Sequence, residues 1–74
     1  MKYVSTEKQL KNLLKQLGEN LECGAAAEIA LGNESLIVNA PKYAMSSNLS
    51  LIDAYEKEGT LIIVVVNRFG TKCK

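Results

Sequence analysis

Thr60-Leu61-Ile62-Ile63-Val64-Val65-Val66-Asn67-Arg68 is the stretch on which the fold turns. Its apolar run is continuous from Leu61 to Val66 and mostly β-branched, the residue type that fits a pleated strand. Both faces of such a strand are apolar, so it is central or covered on both sides. The run is far too short to span a bilayer as a helix.

Working back toward the N-terminus, Gly59 reads as the stop of a second helix that begins at Ser47–Ser50. Leu51, Ile52 and Tyr55 give that helix one apolar face, and Ser50 with Asp53 loosely matches a capping box. Residues 41 to 48 read as a loop. Before them, Leu21, Cys23, Ala25, Ala27, Ile29 and Leu31 alternate with Glu22, Gly24, Ala26, Glu28 and Ala30, the period of a half-buried strand. Gly32-Asn33 then reads as a hairpin turn and Glu34 to Asn39 as the returning strand, with Leu36 and Val38 inward. The rival reading of Ala25-Ala26-Ala27-Glu28 is helical, on propensity alone.

The first helix is the clearest element. Leu10, Leu13, Leu14 and Leu17 recur at i, i+3, i+4 and i+7, which places them on one face. Thr6 and Gln9 fit a capping box, and Gly18 stands where a C-cap glycine is wanted. The helix is expected over Thr6 to Leu17. Lys2-Tyr3-Val4 is either a short first strand or a staple onto that helix.

The element order is then β-α-β-β-α-β, a small α+β two-layer sandwich of ferredoxin-like type. Without the first strand it becomes α-β-β-α-β with an antiparallel sheet. The 74 residues make one domain, 1–74, with 69–74 expected as a mobile tail.

A chain this short has a small core and often needs a disulfide, a metal or a partner. Cys23 and Cys73 are too few for a disulfide scaffold and read as a reduced core thiol and a tail thiol, as in a reducing compartment. There is no histidine, no Cys-x-x-Cys and one aspartate, so neither a metal nor a cofactor is expected. That leaves a partner. In the ferredoxin-like order the last strand lies at an edge, where an apolar strand invites pairing. The helices also cover one sheet face only. A homodimer, or another protein, against the last strand or the open face follows as the expectation.

No nucleophile has a base beside it, and Glu22, Glu28, Glu56 and Glu58 read as solvated. The glycines match no phosphate-binding spacing. The expectation is a protein that is not an enzyme. Three features are candidates for contact. Lys42, Tyr43 and Met45 sit in the loop, as adaptable interface residues or as a lid on the core. Ile62, Val64 and Val66 line one face of the apolar strand. Lys8, Lys11 and Lys15 form a stripe on the first helix, which Lys2, Arg68, Lys72 and Lys74 would extend. The stripe reads as a solvated face or as phosphate contacts.

The leading expectation is a non-catalytic protein-binding module, a regulator, adaptor or inhibitor. Phage-encoded inhibitors of a host system are one such class. Nucleic-acid binding through Lys8, Lys11, Lys15 and Arg68 is the alternative. Small-molecule binding is not expected, because so short a chain rarely spares a pocket of about 300 Å³. With a net charge of +1 and no evident targeting segment, the expected location is cytoplasmic.

Overall fold

The computed structural model describes residues 2–73. Its elements are β1 (Lys2–Val4), α1 (Glu7–Asn20), β2 (Ala26–Leu31), a 3₁₀ turn (Glu34–Val38), α2 (Ala40–Ser46), β3 (Leu49–Lys57), β4 (Thr60–Asn67) and a second 3₁₀ turn (Thr71–Cys73). The four strands form one sheet in the order β1-β2-β4-β3, with β1 parallel to β2 and the other pairs antiparallel. The α+β sandwich holds, two helices over a four-stranded sheet. Within its second half the order is exchanged: the helix comes first and the hairpin last. The sheet is mixed because α1 carries the chain across from β1 to a parallel neighbour.

Strand periodicity and register place Ile29, Leu31, Ile63, Val65 and Leu49 on the helical face of the sheet. They meet Leu10 and Leu14 of α1, Ala40 and Ala44 of α2, and Leu36 of the first 3₁₀ turn in a single core. Leu10 and Leu14 are fully buried, each worth about 1.5–3 kcal/mol of transfer free energy. Leu13 and Leu17 pack against the same core. The Thr6 cap is present: the Gln9 N–H donates to Thr6 Oγ1 at 3.2 Å, and Gln9 Oε1 accepts from the Ser5 N–H at 2.8 Å.

Five expectations are corrected. First, α1 does not stop at Gly18. It runs to Asn20, where the Leu21 N–H closes on Leu17 O at 2.9 Å, so residues 21–25 turn toward β2 instead of belonging to it. Gly18 is buried inside the helix, and a Cβ there would overlap the carbonyl oxygen of Ser47 at the end of α2. Its role is close approach of two backbones.

Second, Gly32-Asn33 is not a hairpin turn. Asn33 Oδ1 accepts the Ser35 N–H at 3.0 Å and caps the 3₁₀ turn that replaces the returning strand. Three residues per turn bring Leu36 inward and leave Val38 76% exposed. Third, the loop is α2. Pro41 occupies its first turn, where no amide donor is missed, and Ala40 and Ala44, one turn apart, face the core.

Fourth, the second helix is β3. Glu58 and Gly59 have φ of 53° and 79°, the pair of positive values of a two-residue type I′ hairpin turn. A register shift between Leu51 and Asp53 extrudes Ile52. Adjacent Leu51 and Ile52 thus mimic a helix face, although Leu51 packs against the core and the unpaired Ile52 is exposed. The hairpin makes β4 central, between β2 and β3, so the apolar strand has no free edge.

Fifth, Cys23 and Cys73 form a disulfide, with Cα atoms 4.8 Å apart. Residues 69–73, expected as mobile, are held. Asn67 is the reason. Fully buried, it donates its N–H to Ala25 O (3.0 Å) and accepts the Gly24 N–H (2.8 Å). Its side chain donates to Leu21 O and accepts the Gly70 N–H at 2.8 Å. The chain is thereby folded back toward Cys23, and Lys72 pairs with Glu22 at 3.1 Å. Lys74 lies outside the described residues.

Candidate functional site

α2 has three sides. Ala40 and Ala44 face the core. Lys42, Tyr43 and Ser46 face α1 across a cleft of about 660 Å³, lined on the far wall by Lys11, Asn12, Lys15, Gly18 and Glu19 and closed at the end by Asn48 and Thr71. Pro41 and Met45 face the other way, into a notch of about 440 Å³ shared with Leu49, Leu51 and Phe69. Met45 is 76% exposed and Phe69 65%.

The structure thus brings together two sets of residues that the sequence kept apart. Lys11 and Lys15 belonged to the helical stripe, and Lys42, Tyr43 and Met45 to the supposed loop; they surround one helix. Lys11 Nζ stands 5.4 Å from the Tyr43 ring centroid, within range of a cation–π contact. Lys8 joins them in a smaller recess with Glu7, Lys11, Asn12 and Tyr43. Glu7 Oε1 accepts from Asn39 Nδ2 at 2.9 Å and from the Tyr43 hydroxyl at 3.4 Å, which ties the start of α1 to α2. Desolvation first, then the Glu7 charge, push the Tyr43 phenol above its ordinary 10.0. Among the described residues the only ion pair is Lys72–Glu22. Arg68 is exposed at the end of β4 and does not line the cleft.

The candidate set on the apolar strand lies elsewhere. Ile62, Val64 and Val66 are on the sheet face away from the helices, but Ile62 and Val66 are only 3% and 8% exposed. Tyr55 and Ala30 flank Ile62, and the Tyr55 hydroxyl donates to Glu28 Oε2 across β4. That bridge crosses the apolar strand between Ile62 and Val64, and Val64 stays half-buried. The hydrogen bond, then desolvation, raise the Tyr55 phenol above 10.0. Tyr3, on β1 beside Ala30, remains 66% exposed.

Sequence reasoning missed Phe69, placed in a mobile tail, and Leu51, placed on a helix. The signal for both was the Glu58-Gly59 turn, which fixes β3 beside β4 and carries the chain end back past α2. Among the described residues no group of three His, Cys, Asp or Glu is arranged to hold a metal ion, and no helix is long and apolar enough to cross a membrane.

The fold and cleft define a small α+β domain with a charged and an apolar recess on either side of one short helix. No protein-family model, curated protein or solved structure matches the chain.

Proposed function

We propose that this chain is a non-catalytic protein-binding module, a regulator, adaptor or inhibitor that meets its partner through the α2 surface. The observation that carries this reading is the pair Met45 and Phe69, large apolar side chains left exposed beside a notch. Exposed apolar side chains rimmed by polar residues are the usual mark of a protein contact. An inhibitor encoded by a phage against a host protein is one form such a module takes. The expected contact residues divide: Lys42, Tyr43 and Met45 remain in the proposed surface, Ile62 and Val66 lie too deep to serve, and Val64 is half-buried on the opposite face of the sheet. A dimer through a free edge of β4 loses its premise, since β4 is central.

A second reading, nucleic-acid binding, is favoured by one observation: Lys8, Lys11 and Lys15 share their side of the molecule with Lys42. As for location, the cytoplasmic reading loses the support of reduced cysteines. A solvent-accessible disulfide persists best in oxidising surroundings, and we place the folded, active form there.

The test is capture of partners by tagged protein and by its Met45→Ser/Phe69→Ser variant, with nuclease treatment and washes at low and high salt. A defined protein that survives nuclease and salt but is lost with the variant supports the contact module. Recovery of nucleic acid alone, released by salt, overturns it in favour of the lysines.

A further inference from the structure

We infer that the crest of α2 is a docking line for an extended, acidic segment of a partner protein that carries one large apolar anchor. The inference rests on the protein-binding reading above and supplies the partner's chemistry.

Lys42 and Met45 are three residues apart on α2 and therefore neighbours on its exposed crest. Lys42 opens toward Lys11 and Lys15, and Met45 toward Phe69. A segment crossing the crest meets cations on one side and an apolar notch on the other. The cations are free to attract it. No carboxylate among the described residues pairs with Lys11, Lys15 or Lys42, and Glu7, the nearest acid to Tyr43, is already held by Asn39.

The dimensions set the spacing. A helix with side chains is about 10 Å across, and an extended chain advances about 3.3 Å per residue. The anchor and the acidic residues of the partner therefore lie two or four residues apart, the even spacings that turn both side chains of an extended chain to one face. The notch accepts a side chain of leucine, methionine or phenylalanine size.

The same surface suits nucleic acid poorly. Tyr43 is the one aromatic residue of the cleft, and Lys11 occupies its ring, so no stacking platform is left for bases. The cleft holds no arginine, the residue best suited to forked phosphate contacts.

The experiment is selection from a phage-displayed random dodecapeptide library on the immobilised, oxidised 74-residue chain. Selected peptides are then titrated by fluorescence anisotropy against wild type, Lys15→Glu/Lys42→Glu and Met45→Ser/Phe69→Ser. All four positions are exposed, and circular dichroism melts verify that the variants stay folded. The expected consensus pairs aspartate or glutamate with a large apolar residue two or four positions away. Each double variant is expected to weaken binding about tenfold or more, and salt to weaken it further. A consensus without acids, or binding indifferent to the lysine variant, overturns the acidic partner. If that binding still needs Met45 and Phe69, the contact-module reading stands without it. Failure to select any peptide, or binding indifferent to both variants, overturns the docking line altogether. Tighter binding of a uridine dodecamer, lost only in the lysine variant, assigns the cleft to nucleic acid instead. Self-association abolished by Met45→Ser/Phe69→Ser assigns the surface to a second copy.

Discussion

The side-chain amide of Asn67 reaches the carbonyl oxygen of Leu21, 46 residues earlier, at 2.6 Å. With the Gly70 N–H on its other side-chain atom, one buried asparagine joins the end of α1, the entry to β2 and the chain's final turn. Asn67→Ala leaves the part-buried Leu21 carbonyl and the buried Gly70 amide without their partner. At about 1–3 kcal/mol for each orphaned group, the expected loss is at least about 2 kcal/mol in urea denaturation. Asn67→Asp is expected to be no milder, since a carboxylate cannot donate to Leu21 and is buried as a charge.

Gly18→Ala sets two effects against each other. Alanine favours a helix interior by about 1 kcal/mol over glycine. Its methyl group overlaps the Ser47 carbonyl, a backbone atom that moves only with α2. Overpacking of this kind costs about 1–3 kcal/mol. The variant is expected to be less stable than wild type, and the cleft lysines to shift with α2, visible as amide chemical-shift changes at Lys42 and Tyr43.

The Cys23–Cys73 bond closes a loop of 50 residues' separation. In the chain-entropy account a loop of that size stabilises by about 4 kcal/mol. Reductant is expected to lower the urea midpoint of the wild type sharply. Cys73→Ser should start at the lowered value and show no further response to reductant.

Tyr55 links stability to alkaline pH. Its hydrogen bond to Glu28 and its desolvation raise the phenol above 10.0 in the folded protein. The folded state therefore holds the proton more tightly than the unfolded chain does. The resulting stability is complete below about pH 10 and is lost as pH rises through the raised folded value. Tyrosinate absorbance should show one phenol titrating later in wild type than in Glu28→Gln. Tyr55→Phe should flatten the alkaline fall in stability.

Legibility in the sequence followed how local the cause was. The leucine face of α1, its Thr6 cap and the β4 run depend on neighbours a few residues apart, and all three are in place. β3 has the sequence pattern of a helix because a bulge at Ile52 spoils strand alternation, and Glu58-Gly59 becomes a hairpin turn only once β4 pairs back. The 3₁₀ turn at Glu34–Val38 replaced a strand because the Asn33 side chain offered the backbone a local partner. The disulfide and the Asn67 junction join residues some fifty positions apart, and no local pattern announces them. For the candidate site, the residue types were visible in Lys11, Lys15, Lys42, Tyr43 and Met45. Their convergence on α2 was not, because residues 41 to 48 read as a loop in the sequence.

The disulfide has a topological consequence. Its first cysteine comes just after α1, so β2, α2, β3 and β4 lie within a covalent ring, whereas β1 and α1 form an arm outside it. The ring retains its connectivity when the core loosens; the arm keeps its place through non-covalent contacts alone, packing, the three-residue ladder of β1 on β2 and the Glu7 hydrogen bonds to α2. The native state is thus a closed hoop with a docked latch. Amides of β1 are expected to exchange with solvent ahead of those of β4, and an arm that lets go of its own hoop is free to close on another's.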